Sequence, residues 1–149
     1  MEATAVWTHP LLYVDVAPES DFTAAATHCE DLAASALESE HMSTQHALYQ
    51  RLHECLIRLQ PTLIDPIPEN QIAQFTVDVM PRARPAMDTE TELLCEYCLA
   101  LSHLLSGNPL SINVEETLQG LLYELTCFMA DTMLAPRWLT TPLGLQPIA

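Results

Sequence analysis

The sequence contains no lysine, and its five basic residues, all arginines, face 20 acidic residues for a formal net charge of −15. A chain without a basic stripe has little with which to neutralise phosphates, so we expect no direct binding to nucleic acid or to an anionic membrane. Long-range attraction would instead favour a basic protein partner. The alternative is that the acidic surface only keeps the protein soluble.

Glycine is also scarce, because the chain has three, Gly107, Gly120 and Gly144. These cannot form a phosphate-cradling loop, a dinucleotide-binding loop or a nucleophile elbow. We therefore predict that the protein is not an enzyme and has no cofactor, although catalytic groups can also assemble from distant positions.

Long apolar stretches are missing as well. The longest run without an acidic or basic residue, 97–114, has 18 residues but includes His103, Gly107 and Pro109, so no segment is predicted to span a membrane. The start, MEATAVWTHP, lacks the basic region and apolar block of a secretory signal. The cysteines are odd in number and lie on predicted helix faces, which favours free thiols in a reducing compartment: Cys29, Cys55, Cys95, Cys98 and Cys127. We expect a cytoplasmic protein.

One short pattern occurs twice. The segment Val14-Asp15-Val16-Ala17-Pro18 is echoed by Val77-Asp78-Val79-Met80-Pro81, and each precedes a long stretch with helical periodicity. Around the second copy Ala73, Phe75, Val77 and Val79 alternate with polar residues, which is the period of a half-buried strand. We interpret the two copies as the strands of a duplicated βαα unit with halves at about 10–60 and 73–134, although a three-residue identity also recurs by chance.

Apolar residues at helical spacing predict four helices. The first is capped by Ser20 and runs to about His41, and the second begins after Ser43 and runs to about Gln60. The third opens with Thr89 and Glu92 in capping-box spacing and ends at Gly107, and the fourth opens with Asn113 and Glu116 and ends before Pro136. The segment PTLIDPIPENQ between the halves is predicted to be an extended connector.

The predicted fold is therefore mainly α: a single domain of residues 1–149 with a four-helix core, two short strands and a pseudo-twofold duplication. Residues 135–149 are predicted to form an extended arm, because they combine three prolines with an apolar series that includes Trp138 and Leu139. The arm is expected to pack over its own bundle or over that of a dimer partner, and alternatively to capture a separate protein. A two-stranded ribbon would also leave open edges for self-association.

Two motifs raise the alternative of metal or thiol-redox chemistry. Cys95-Glu96-Tyr97-Cys98 has the spacing of zinc and redox motifs, but the chain lacks a second cysteine pair and a histidine pair at finger-like spacing. Glu38-Ser39-Glu40-His41 supplies one Glu-x-x-His, whereas di-iron bundles need two. A metal or thiol-redox protein built around His28, His41, Cys95 and Cys98 remains the second alternative.

The acids of the first helix are the main candidates for function. We predict that the protein binds a basic protein partner without catalysis, as an inhibitor, adaptor or chaperone. The predicted partner-binding residues are Glu30, Asp31, Glu38, Glu40, Trp138 and Leu139. Carboxylates four residues apart on a helix are separated by roughly 6 Å along its axis, a spacing similar to that of phosphates along a strand. The first alternative is therefore a nucleic-acid mimic that inhibits a DNA- or RNA-binding protein.

Overall fold

The computed structural model describes residues 9–13, 22–82 and 89–148, and its fold is mainly α, as predicted. The α-helices of this part of the chain are α1 (Phe22–Glu38), α2 (Met42–Leu59), α3 (Thr91–Leu105) and α4 (Ile112–Leu134). Its strands are β1 (Thr76–Val77), β2 (Trp138–Thr141) and β3 (Gly144–Pro147), so the described residues contain three short strands rather than the predicted two. Short 3-10 helices cover Pro10–Tyr13, Gln60–Thr62 and Glu69–Phe75.

The four helices form an up-down-up-down bundle in which each helix packs against two neighbours. Helices α2 and α3 are antiparallel, since the Cys95 thiol lies 4.0 Å from the Leu56 carbonyl and His53 Nδ1 lies 3.1 Å from the Leu99 carbonyl. The first helix packs against both α2 and α4, which closes the bundle.

Small side chains allow α1 to approach its neighbours closely. Ala26, Cys29, Ala33 and Ala36 are at most 1% exposed, so the backbone of α1 lies near the surfaces of α2 and α4. The apolar stripe predicted for α2 is buried in the same core: Leu48, Leu52, Cys55, Leu56 and Leu59.

Both predicted N-caps in the second half are wrong. The N-cap of α3 is Glu90, whose backbone is still extended and whose side chain makes no capping bond, so Thr89 lies outside the helix. The N-cap of α4 is Ser111, whose hydroxyl accepts a hydrogen bond from the Val114 amide. Because this hydroxyl satisfies one of the first free amides, α4 begins before Asn113.

The predicted helix ends are closer to the structure. The third helix ends at Leu105 and is followed by Gly107, whose φ of 141° is readily adopted only by glycine. The fourth ends at Leu134, just before Pro136. The first ends at Glu38 rather than near His41, because the Gln45 side chain donates to the carbonyls of Ala36 and Ser39. Ser20, its predicted cap, lies outside the described residues.

The predicted strand around the second Val-Asp-Val is mostly wrong. Residues 73–75 end a 3-10 helix, the strand covers only Thr76–Val77, and Asp78 and Val79 lie in an exposed bend. A strand extends only as far as its partner allows, and β2 begins at Trp138, directly after Arg137 donates its amide to the Phe75 carbonyl. The connector is likewise only partly extended, since Gln71 is buried within that 3-10 helix.

The predicted C-terminal arm is a β-hairpin. Its strands β2 and β3 pair antiparallel, and β2 also pairs in parallel with β1, in the register Thr76 with Trp138 and Val77 with Leu139. The sheet order is therefore β1-β2-β3. The first Val-Asp-Val copy lies outside the described residues, so the predicted pairing of the two copies stays a prediction.

Candidate interaction surface

The charged residues of α1 and α4 share one sign. The first helix carries Glu30, Asp31 and Glu38, and neither helix contains a lysine or an arginine. The acids of α4 are Glu115, Glu116, Glu124 and Asp131. Because α1 and α4 pack against each other, two helices whose charged residues are all acids lie side by side in the bundle.

Two residues of α4, Tyr123 and Cys127, interact with acids of α1 at the α1/α4 groove. The Cys127 thiol hydrogen-bonds with the Tyr123 side chain and with the Glu30 carboxylate. The Glu38 carboxylate also interacts electrostatically with Tyr123, and the Asp131 carboxylate interacts electrostatically with Cys127. We call this set, Glu30, Glu38, Tyr123, Cys127 and Asp131, the acidic face.

The pKa values of Tyr123 and Cys127 on the acidic face are raised, and nearby carboxylates contribute to both increases. Interaction with Cys127 raises the pKa of Tyr123, and the Glu30 and Glu38 carboxylates add to this effect. Burial raises the pKa of the Cys127 thiol to about 11, with further contributions from Glu30 and Asp131. Both groups therefore remain neutral at pH 7, and the charge of this face comes from its carboxylates.

Apolar side chains accompany the carboxylates. Leu37 is 39% exposed and lies one residue before Glu38, and Leu134 is 36% exposed and lies one helical turn after Asp131. Carboxylates and partly exposed leucines on the same two helices complement a basic amphipathic segment, which offers cations and apolar side chains together.

The charges on α2 are arranged differently, whereas α3 resembles α1 and α4 in carrying acids, Glu92 and Glu96, and no lysine or arginine. Arg51 of α2 lies 3.6 Å from Glu54, so part of the charge on that helix is neutralised locally. Glu115 of α4 lies 3.5 Å from His46 of α2 and therefore faces away from the α1/α4 groove. The electrostatic asymmetry of the bundle thus separates α2, which carries Arg51 and Arg58, from the other three helices.

The structure brings together only some of the predicted partner-binding residues. Glu30 and Glu38 both belong to the acidic face. Asp31 is exposed and acts electrostatically on His28, whereas Glu40 is exposed in the turn between α1 and α2. Trp138 and Leu139 are half-buried in the central strand of the sheet, so the edges available to another strand belong to β1 and β3.

The sequence analysis did not find Tyr123, Cys127 and Asp131. Their spacing of four residues places them on one stripe of α4, a signal that the sequence contains. This spacing was not sufficient to predict a binding surface, because nothing in the local pattern shows that this stripe of α4 lies beside α1.

The residues of the metal and redox alternative lie in separate surroundings. Cys95 and Cys98 are fully buried in the core, His28 is buried on α1, and His41 is exposed before α2. Burial raises the pKa of Cys95 to about 12 and that of Cys98 to about 11. Within residues 9–13, 22–82 and 89–148, no group of three or more His, Cys, Asp or Glu residues is arranged to hold a metal ion.

Two further core thiols approach each other closely. The Cys29 thiol donates to the Cys55 sulfur at 3.1 Å, joining α1 to α2. This interaction raises the pKa of Cys29, whereas it lowers that of Cys55. All five cysteines are free.

Comparison with known proteins identifies no relative: no family model, curated protein or solved structure matches the chain. Among the described residues, none of the helices combines the length and the apolar character needed to cross a membrane.

Proposed function

We propose that this protein is a non-catalytic binding protein that holds a basic segment of another protein on its acidic face. The observation that carries the proposal is that α1 and α4, which contain no lysine or arginine, pack together and form one groove. In this groove Glu30 of α1 contacts Cys127 of α4. A basic segment would bring its cations to carboxylates that have no arginine or lysine on their own helices.

The role is that of an inhibitor, adaptor or chaperone. Electrostatic complementarity over several carboxylates favours fast association with a cationic partner. The partly exposed Leu37 and Leu134 would supply the apolar contacts that purely charged surfaces lack. Exposed ion pairs each contribute about 0.2–1 kcal/mol, so binding requires several of them together with this apolar contribution.

The test begins with capture of the partner from the cell of origin and continues with the purified pair. The variant E30Q/E38Q/E124Q/D131N removes four charges from α1 and α4, and the control E69Q/E92Q/E96Q/D78N removes four exposed charges elsewhere. We expect the first variant to bind the partner about tenfold or more weakly, and the control to bind nearly as well as the unmodified protein. Equal effects of the two variants would show that only net charge matters and would contradict the proposal.

The salt dependence of binding and competition by nucleic acid test whether the acidic face binds a basic segment of a protein or acts as a nucleic-acid mimic. Binding to the acidic face should weaken as salt rises, because charges beyond roughly 8 Å are screened at physiological ionic strength. If the captured partner is a DNA- or RNA-binding protein and nucleic acid displaces it competitively, the nucleic-acid mimic becomes the better description. Binding that survives about 0.5 M salt unchanged would exclude both modes.

A further inference from the structure

A cavity of about 320 Å³ opens at one end of the bundle. It lies where α1 begins, where α2 gives way to the connector and where α4 ends. Phe22, Leu63, Ile67 and Met133 supply its apolar lining. Its volume is at the lower end of the range for small-molecule sites, which is roughly 300–1,000 Å³.

Arg137 lines this cavity and is held in position from several sides. Its backbone amide donates to the Phe75 carbonyl at 2.7 Å, and its guanidinium Nη2 donates to the Met133 carbonyl at 3.2 Å. The guanidinium carbon lies 5.6 Å from the centre of the Phe75 ring. A side chain fixed in this way loses little entropy when it binds a ligand.

The guanidinium keeps donors for such a ligand. Arginine has five N–H donors, and the Met133 carbonyl takes one of them. Among the described residues, no carboxylate lies within ion-pair distance of Arg137. The planar group can therefore bind a carboxylate through two parallel hydrogen bonds.

Three of the other four polar side chains of the lining offer acceptors, and the fourth, the Thr91 hydroxyl, can donate or accept. Asp65 contributes a carboxylate to the cavity. The Thr62 hydroxyl donates its proton to the Leu59 carbonyl at 2.7 Å, and the Thr132 hydroxyl donates to the Phe128 carbonyl at 2.8 Å. The Thr62 and Thr132 oxygens therefore retain only lone pairs for a ligand, and such acceptors suit an ammonium group.

We propose that the cavity binds a free amino acid with an apolar side chain. Its carboxylate would pair with Arg137, its ammonium with Asp65, and its side chain would contact the apolar lining. A phosphate or dicarboxylate fits less well, because it would face Asp65 and a protein of net charge −15. A simple amine would leave the fixed Arg137 without a partner. A zwitterion carries no net charge and satisfies both groups.

Calorimetric titration of the intact protein with L-leucine, L-methionine and L-phenylalanine tests this proposal. We expect saturable binding of at least one of them. The deaminated and decarboxylated analogues of the tightest binder should each bind about tenfold or more weakly, because each loses one charge-assisted contact. No detectable binding of any of the three up to about 10 mM would overturn the proposal.

Variants assign the contacts. R137Q and D65N should each weaken amino-acid binding about tenfold or more, whereas the exposed-site controls R82Q and D78N should leave it unchanged. Because R137Q also alters a hydrogen bond to α4, D65N is the cleaner variant: Asp65 is exposed and its replacement conserves shape. An amino acid that binds equally well to R137Q and D65N, or no better than its deaminated analogue, would refute the assignment.

Discussion

Phe75 joins the connector, the bundle and the C-terminal hairpin, so its replacement should have a large effect on stability. The ring is 2% exposed, stacks on Phe22 with centroids 5.5 Å apart, and lies under the Arg137 guanidinium. Replacing a buried phenylalanine with alanine costs about 3–5 kcal/mol through lost burial and the cavity left behind. Phe75→Ala should therefore lower the free energy of unfolding by about that amount.

Phe75→Leu separates the ring-specific contribution from the burial of apolar surface. Leucine retains most of the apolar volume but loses the aromatic pair, worth about 0.5–1.5 kcal/mol, and the cation–π contact, worth about 0.5–1 kcal/mol. We expect a loss of about 1–2.5 kcal/mol for this variant. A double-mutant cycle with Phe22→Leu should return a coupling of about 0.5–1.5 kcal/mol.

The assay is urea unfolding followed by circular dichroism, with the linear extrapolation fitted for each variant. Thermal unfolding should agree, since 1 kcal/mol corresponds to about 2–4 °C in Tm for a chain of this size. Leu143→Ala is the control, because Leu143 is 90% exposed and its loss should change stability by less than about 0.5 kcal/mol. A Phe75→Ala cost below about 1 kcal/mol would mean that Phe75 does not hold these elements together.

Two other predictions concern the start of α4 and the buried thiols. Ser111→Ala should lower the free energy of unfolding by about 1 kcal/mol, whereas Thr89→Ala, at the cap predicted from sequence, should change it by less than about 0.5 kcal/mol; equal losses in urea unfolding would contradict the observed caps. Above about pH 9 the unfolded chain releases thiol protons that the folded chain keeps on Cys95 and Cys98, whose pKa values burial raises to about 12 and about 11. Stability should therefore be intact below that pH and fall as pH rises, by up to about 1.4 kcal/mol per pH unit for each thiol. Urea unfolding between about pH 8 and 11 measures this slope, which C95A/C98A should reduce; an unchanged slope would refute the assignment to these thiols.

The helices could be predicted from the sequence because the apolar residues of each helix recur at helical spacing. That pattern is a local property, and it predicted the buried stripe of α2 and the ends of α3 and α4 from residues a few positions apart. The caps were harder, since Thr89 and Asn113 have suitable side chains but the structure uses Glu90 and Ser111. Several nearby residues can cap a helix, and the path of the preceding loop decides between them.

The strands were harder still. Alternation around Val77 suggested a long strand, but a strand needs a partner, and β1 finds one only where β2 passes beside it. No periodicity near Val77 indicates that the strand Trp138–Thr141 is that partner. The prediction of a two-stranded ribbon therefore missed the hairpin in the C-terminal arm.

What the sequence alone determined is the helical character of the chain and its sign of charge, because both follow from residue types counted locally. What only the tertiary structure decided is which surfaces meet: Glu30 beside Cys127 at the acidic face, and Arg137 with Asp65 around one cavity. Such pairs are far apart along the chain. They come together because packing selects complementary helix faces over the whole molecule, and no local pattern records that selection.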